Sequence, residues 1–202
     1  MLVGDVEKGV QGTVGILQFE PSVSADLGTF IVSPIAAVQI EYSPFTMDIE
    51  DPKIGLLKTC RELGVAIVAY SPLGRGMLTG QYRSNKDLEG DDRRRLPRFS
   101  DENFPKNLQL VDQLTQAAEK KGCTTGQLTL AWLLKQGEDV IPIPGTKRVR
   151  FLEENMGALD VVLTAEEDGE IRGMVEAAET SGDRYPGGMM EVCFMDTPPL
   201  EA

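Results

Sequence analysis

The segment Val65–Gly76 has the sequence VAIVAYSPLGRG, in which an apolar run passes directly into a glycine-rich loop. An unbroken apolar run of this length is typical of a strand that is buried on both faces of a parallel sheet. Gly64, immediately upstream, is predicted to end the preceding helix, because glycine is favoured just after the last helical residue. A helix that leads straight into a buried strand predicts an α/β fold.

The rest of the chain repeats this alternation. Three of the predicted helices have a start or stop signal, such as the capping box formed by Thr164 and Glu167 before the last one. The predicted strands are 13–19, 38–42, 65–70 and 140–144, and the predicted helices are 52–63, 107–121, 125–136, 148–156 and 164–180. Strands that alternate with helices form a parallel sheet covered by helices. This pattern fits both part of a (β/α)₈ barrel and an open doubly wound sheet.

The helix at 52–63 has the most specific start signal. Asp51 is a favoured N-cap residue, and Pro52 is favoured at the first helical position. The spacing places Ile54, Leu57 and Arg61 near one face of this helix. We therefore expect the helix to begin directly after Asp51.

Composition excludes several classes of chemistry. The 202 residues carry a formal net charge of −12 and contain no histidine, which argues against a nucleic-acid or anionic-membrane surface and removes histidine-based catalysis. Cys60, Cys123 and Cys193 are far apart, so neither a disulfide framework nor a zinc or other metal site is expected.

No apolar run is long enough to span a bilayer, and the first 20 residues lack a secretory pattern. A cytosolic location is the resulting expectation.

Two loops at the ends of strands are candidate phosphate sites. In the first, Tyr70 could stack on a flat heterocycle, and Gly74, Arg75 and Gly76 could approach a pyrophosphate. An ordinary turn behind a buried tyrosine would give the same pattern. The second is the segment 143–155, where a strand leads into the start of a short helix behind a basic cluster, an arrangement that favours an anion. A helix start with solvated basic residues is the alternative there.

The loop Gly80–Phe104 lies between these two segments in sequence. It contains the charged run Asp91-Asp92-Arg93-Arg94-Arg95, which is expected to be solvated. We expect the loop to border the side on which a substrate would bind.

Three stretches together resemble the aldo-keto reductase superfamily: AAVQIEYSP at 36–44, VAYSPLGRGMLTG at 68–80 and VIPIPGTKRVRFLEEN at 140–155. Their order and spacing are similar to strands 6, 7 and 8 of that (β/α)₈ barrel. The tail from Asp183 onward resembles the fungal and yeast pyridoxal-reductase-like branch. The resemblance implies NADPH as the cofactor and a small aldehyde or ketone as the substrate, and the branch suggests pyridoxal or a ketone intermediate of fungal metabolism.

The resemblance also implies roles for individual residues. Tyr70 stacks on the nicotinamide and Gln39 contacts its carboxamide. The pyrophosphate is lined by Ser71, Leu73, Gly74 and Arg75. The 2′-phosphate is held by Gly145, Thr146, Lys147 and Arg148, and the adenine is surrounded by Phe151, Glu154 and Asn155.

The family's catalytic Asp, Tyr and Lys lie on the first four barrel strands. Only about 34 residues precede the stretch similar to strand 6, which is too few for five strand–helix units. The segment 13–21 resembles a remnant of strand 4. Tyr42, Tyr82 and Tyr185 lie in the wrong segments to replace the catalytic tyrosine. We therefore expect an N-terminally truncated chain, with residues 1–34 as an irregular segment or remnant strand and residues 35–202 as the C-terminal half of the barrel. Such a chain is either a reductase completed by other residues or a non-catalytic remnant that at most binds NADPH. Because a partial barrel leaves sheet edges open, aggregation, a partner chain or marginal stability is expected.

Overall fold

Four parallel strands form one sheet in the order of the sequence. The structure is a computed structural model that describes the backbone of residues 15–18 and all of residues 35–190. The strands are β1 (Gly15–Gln18), β2 (Ile35–Glu41), β3 (Ala66–Tyr70) and β4 (Val140–Pro142), and each pairs in parallel with the next. The predicted parallel α/β sheet is thereby confirmed. The expected irregular segment at 1–34, apart from β1, and Cys193 lie outside the described residues.

Five α-helices accompany the sheet within the described residues. They are α1 (Leu56–Leu63), α2 (Phe104–Lys121), α3 (Thr125–Lys135), α4 (Val149–Met156) and α5 (Ala165–Ala177). Short 3₁₀ turns lie at 48–50, 74–79, 85–88, 92–95, 97–99 and 157–160. The predicted capping box of α5 is present, because the Thr164 hydroxyl accepts from the Glu167 amide and the Glu167 carboxylate accepts from the Thr164 amide. None of these helices combines the length and the apolar character needed to cross a bilayer.

Helix α1 begins later than its start signal predicts. Asp51 does not cap a helix: its carboxylate accepts from the Lys53 amide, and its carbonyl accepts from the amides of Ile54 and Gly55. These bonds close a turn, and Gly55 then adopts φ 67°, a left-handed conformation that separates the turn from the helix. The predicted start at Pro52 is therefore wrong, while the predicted stop at Gly64 is confirmed by its left-handed C-cap geometry.

The predicted face of α1 holds for Leu57 and Arg61, which are four positions apart in the helix, but not for Ile54, which precedes it. The residues of this helix that are buried are Leu56 and Cys60, whereas Arg61 is exposed and pairs with Asp139. Because the helix begins at Leu56, Ile54 belongs to the preceding turn that Asp51 closes and not to the helix. The wrong start position thus accounts for the misplacement of Ile54.

The sheet has two unlike faces. Side chains on its helix-covered face, among them Val38, Ile67 and Val140, are at most 4% exposed and pack in one core with the helices. The opposite face, which we call the open face, carries Gln39, Val68 and Ile141 in one row of paired residues. Gln39 and Val68 are half-buried and Ile141 is 49% exposed. The prediction that β3 is buried on both faces is therefore wrong, since its residues alternate between the two faces.

Candidate functional site

The loops that follow β3 and β4 enclose a cavity at the carboxyl edge of the sheet. Its volume is about 350 Å³. Parallel strands deliver their carboxyl ends to one edge, where α/β folds place ligand sites. The predicted cofactor residues that line the cavity are Ser71, Leu73 and Arg75 from the first loop and Gly145, Thr146, Phe151, Glu154 and Asn155 from the second. The fold therefore brings parts of both candidate phosphate loops to one place.

The loop after β3 has an unusual backbone. Ser71 and Arg75 adopt positive φ angles of 49° and 55°, a conformation that costs a non-glycine residue about 1–2 kcal/mol. Two hydrogen bonds hold it, from the Gly74 amide to the Ser71 carbonyl and from the Gly76 amide to the Leu73 carbonyl, each 2.9 Å long. Backbone strain of this kind is concentrated at binding sites, where it fixes the positions of donors.

Gly74 supports this loop from beneath and does not line the cavity. It is buried, and a β-carbon added to it would lie 2.8 Å from the Phe45 ring. Its φ of 56° also favours glycine. Its place in the fold accounts for a glycine here without a direct contact to a ligand.

Arg93 lines the cavity, which no sequence pattern predicted. Its guanidinium donates to the Arg75 carbonyl over 2.5 Å and to the Tyr82 hydroxyl over 3.2 Å. Asp91 accepts from Nε and Nη2 of the same side chain at 2.9 and 2.8 Å, and these bonds hold the pKa of the Asp91 carboxyl below its ordinary range. The prediction that the run 91–95 is solvated is wrong at Arg93, because this side chain turns inward onto the loop after β3.

The second loop carries its basic residues next to the cavity but not in its lining. Lys147 and Arg148 are exposed, and they lie in sequence between the lining residues Thr146 and Phe151. The Thr146 hydroxyl accepts from the Arg148 amide over 3.1 Å, which fixes the approach to α4. The Arg148 guanidinium lies 5.7 Å from the centre of the Phe151 ring. The aromatic ring thus lies beside the basic cluster at the start of α4.

The first turn of α3 forms another part of the wall that sequence reasoning missed. Gly126 lines the cavity, and the Gln127 amide group donates to the Glu154 carbonyl over 3.1 Å. The Thr124–Gln127 capping box fixes this turn. That box is visible in the sequence as a helix start, but its contact with α4 is not, because the two helices meet only in the tertiary fold.

Gln39 and Tyr70 lie on the open face of the sheet and outside the cavity lining. Gln39 pairs with Val68, and Glu41 pairs with Tyr70, so Gln39 and Tyr70 are diagonal neighbours on adjacent strands. The Tyr70 hydroxyl lies 3.5 Å from the Tyr185 hydroxyl. Burial, and then the hydrogen bond to Tyr185, raise the pKa of Tyr70 well above its ordinary value, so the phenol stays protonated at neutral pH.

A buried ion pair fixes the C-terminal segment over the carboxyl end of β2. Glu41 and Arg184 are 2% and 3% exposed, and Oε2 of Glu41 lies 3.0 Å from Nε of Arg184. Arg184 also donates to Asp48 over 2.5 Å, while Arg98 lies 3.6 Å from the second Glu41 oxygen. Tyr185 is thereby placed beside Tyr70, with its ring 5.6 Å from the Arg75 guanidinium.

Comparison with known proteins gives a consistent result. A model of the aldo/keto reductase family matches residues 2–176. Over 170 residues the chain is 55% identical to aldo-keto reductase yakc [NADP(+)] of Schizosaccharomyces pombe and 57% identical to aldo-keto reductase str7 of Strobilurus tenacellus. Each match covers 84% of this chain and 50% of the relative. The chain thus spans about half the length of the curated relatives it matches.

Two solved structures are similar to this chain over part of their length. The glycerol dehydrogenase AKR11B4 from Gluconobacter oxydans is similar with a TM-score of 0.65 at 27% identity, over 76% of this chain and 46% of that one. The thermostable aldo-keto reductase Tm1743 is similar with a TM-score of 0.51 at 30% identity, over 73% and 43%.

Proposed function

The chain belongs to the aldo/keto reductase family, and from this premise we propose that it binds NADPH in and beside the cavity between the loops after β3 and β4. The observation that carries the proposal is the convergence of cationic and hydrogen-bonding groups around this cavity in a chain with a net charge of −12. Arg75 and Arg93 line one part, and Thr146 and the start of α4 form another. Such groups suit a pyrophosphate and a phosphate.

The proposed roles follow the two loops. Tyr70 would stack on the nicotinamide and Gln39 would contact its carboxamide, a pairing supported by their shared place on the open face. The pyrophosphate would be lined by Ser71, Leu73, Gly74 and Arg75. The 2′-phosphate would be held by Gly145, Thr146, Lys147 and Arg148, and the adenine would be surrounded by Phe151, Glu154 and Asn155. Because Gly74 is buried under the loop, its contribution is to the loop's shape.

The architecture that suits this function is part of a (β/α)₈ barrel. We propose that residues 35–202, with β2–β4, form the C-terminal half of such a barrel and that β1, within residues 1–34, is a remnant strand beside it. The likeness to full-length reductase structures over less than half of their length supports this. The free thiols of Cys60 and Cys123 are compatible with a reducing compartment such as the cytosol.

In the family reaction, bound NADPH supplies a hydride to an aldehyde or ketone carbon. The described residues of this chain would hold and orient the cofactor through the two loops. The name of the yeast relative, with its NADP(+), supports the cofactor; the tail of the chain suggests pyridoxal or another small carbonyl compound as the substrate of a complete reductase. For this chain by itself we propose NADPH binding without turnover, since residues 35–190 supply no counterpart of the family's catalytic acid.

A cofactor titration tests the proposal. Lys147→Ala combined with Arg148→Ala should weaken NADPH binding about tenfold or more, which is ~1.4 kcal/mol, and should leave NADH binding almost unchanged, because NADH has no 2′-phosphate. Lys53→Ala combined with Lys58→Ala removes the same charge at exposed positions before and within α1 and is the matched control. Equal weakening of both cofactors would show that the basic cluster does not hold the 2′-phosphate. Turnover of pyridoxal by this chain, lost on substitution of Tyr70, would contradict the non-catalytic part of the proposal.

A further inference from the structure

Tyr185 lies between the two parts of the proposed cofactor site. Its hydroxyl oxygen is 3.5 Å from that of Tyr70, and the centre of its ring is 5.6 Å from the guanidinium carbon of Arg75. Tyr70 has the proposed nicotinamide role, and Arg75 lines the cavity proposed for the pyrophosphate. One side chain from the C-terminal segment thus contacts a residue of each subsite.

The segment that leads to Tyr185 is held by side chains from two other parts of the chain. Asn107 of α2 accepts from the Ser181 amide over 2.8 Å and donates to the Ser181 carbonyl over 2.9 Å. Arg184, which is 3% exposed, pairs with Glu41 at the end of β2. Because the main chain is fixed on this side, the fold itself brings the tyrosine ring to the site.

An aromatic ring, and not a carboxylate, holds the Arg75 guanidinium. Within residues 35–190, Arg75 forms no ion pair, and the contact of its guanidinium is with the Tyr185 ring. Arg93, the other arginine of the cavity, pairs with Asp91 at 2.8 Å. A ring attracts a cation without neutralising it, whereas a carboxylate cancels its charge. Arg75 is therefore held in place while its charge stays available to an anion.

We propose that Tyr185 is a positioning residue of the cofactor site. Its ring holds the Arg75 guanidinium for the pyrophosphate, and its hydroxyl orients the phenol of Tyr70 for the nicotinamide. This role rests on the proposed NADPH site and adds to it a residue from outside both candidate phosphate loops. It gives Tyr185 no part in proton transfer.

The expected effect of the ring is small but measurable. An arginine side chain loses rotamer freedom when an anion immobilises it, and a ring that already holds the side chain reduces this loss on binding. A cation–π contact at a partly exposed site corresponds to an affinity change of about two- to fivefold. Loss of the Tyr185 ring should therefore weaken a pyrophosphate ligand by a factor in this range.

Three ligands divide the site into its parts. Adenosine 2′,5′-bisphosphate has the adenine and the 2′-phosphate, 2′-phospho-ADP-ribose adds the pyrophosphate, and NADPH adds the reduced nicotinamide. In calorimetric titrations of the full chain, Tyr185→Leu should leave binding of the first unchanged and weaken the other two about two- to fivefold. Gly187→Ala is the matched control in the same segment, because an added β-carbon meets nothing within 4 Å, and it should bind all three as the parent does.

Two further variants separate positioning from a general structural effect. Tyr185→Phe keeps the ring, so 2′-phospho-ADP-ribose should bind as it does to the parent. The fluorescence of bound NADPH should nevertheless become more accessible to acrylamide, because the Tyr70 phenol has lost its neighbouring hydroxyl. In an Arg75→Gln background, Tyr185→Leu should have no further effect on 2′-phospho-ADP-ribose, since the ring then has no guanidinium to hold.

Failure of this role is distinguishable from failure of the NADPH site. If the parent binds NADPH, the role of Tyr185 alone is overturned by a Tyr185→Leu protein that binds like the parent or is weakened equally for all three ligands. Additive effects of Tyr185→Leu and Arg75→Gln would overturn it as well. A parent that binds none of the three ligands would overturn the NADPH site and, with it, the role of Tyr185.

Discussion

The guanidinium of Arg93 donates a hydrogen bond to the main-chain carbonyl of Arg75 over 2.5 Å. This bond joins the loop after β3 to a residue that lies 18 positions further along the chain. Arg75 and Arg93 both line the cavity proposed to hold NADPH. The acceptor belongs to a residue with φ 55°. Arg93 therefore stabilises a backbone conformation that is otherwise unfavourable for a non-glycine residue.

Replacement of Arg93 should loosen this loop. Arg93→Gln removes charge-assisted bonds to Asp91 and the bond to Arg75, and we expect a loss of about 1–2 kcal/mol in the free energy of unfolding. NADPH binding should weaken as well, since the loop's donors lose their fixed positions. Arg95→Gln is the matched control, because the Arg95 side chain is 86% exposed and pairs with an Asp92 that is 98% exposed. Urea denaturation would measure both variants, and equal losses would contradict the role given to Arg93.

The buried Glu41–Arg184 pair should be among the most sensitive positions. Glu41→Gln removes the more deeply buried of the two carboxylates that pair with Arg184 and deprives Arg98 of a neighbouring carboxylate. Loss of one partner of a buried pair costs about 3–5 kcal/mol. Glu62→Gln, which removes a carboxylate from the exposed pair with Lys58, should cost at most about 0.5 kcal/mol. A loss for Glu41→Gln no larger than that of the control would show that the pair does not hold the C-terminal segment.

Two glycines with almost the same φ separate steric contact from backbone strain. Gly182 and Gly188 have φ angles of +86° and +85°. A β-carbon on Gly182 would lie 2.7 Å from the main chain of Pro97 and 2.6 Å from the Asn103 amide, whereas one on Gly188 meets nothing within 4 Å. Gly182→Ala should therefore be less stable than Gly188→Ala by about 1–3 kcal/mol, the usual range for overpacking.

Thermal unfolding monitored by circular dichroism would measure this difference. The strain from positive φ is common to both variants, so it cancels in the comparison. Equal stabilities would mean that the segment around Gly182 does not pack against Pro97 in solution. A cofactor titration of the folded Gly182→Ala protein would further show whether the placement of Tyr185 affects the nicotinamide side of the site.

The Arg61–Asp139 pair predicts a specific dependence of stability on pH. Hydrogen bonds from Arg61 lower the pKa of Asp139 below its ordinary 3.8. A carboxyl group whose pKa is lower in the folded state stabilises the fold at pH values above its unfolded-state pKa. This contribution decreases as the pH falls below about 4 and is lost below the folded-state pKa. Since Arg61 is 44% exposed, we expect at most about 1 kcal/mol.

Asp139→Asn should remove this contribution at neutral pH and flatten the acid side of the stability curve. Denaturant unfolding at a series of pH values from neutral to acid would measure it. Asp160→Asn, at an exposed position, is the control and should leave the curve parallel to that of the parent. Parallel curves for all three proteins would contradict a stabilising role for the pair.

Local signals in the sequence predicted most of the elements, because they depend on neighbouring residues. The apolar run at 65–70 predicted β3, the Thr164–Glu167 capping box predicted the start of α5, and Gly64 predicted the end of α1. The start of α1 was predicted wrongly because the Asp51-Pro52 signal is shared by helices and turns. A left-handed Gly55 decides between the two, and the sequence does not show its φ.

The sequence by itself determined the strand-and-helix alternation and the two candidate phosphate loops, since backbone preference and apolar periodicity are local properties. The tertiary structure decided which side chains meet. It placed Arg93 on the loop after β3 although the run 91–95 was expected to be solvated, and it buried Glu41 beneath Arg184, far along the chain. It also showed that β3 has one covered and one open face. Burial and charge pairing depend on residues distant in sequence, so no local pattern specifies them.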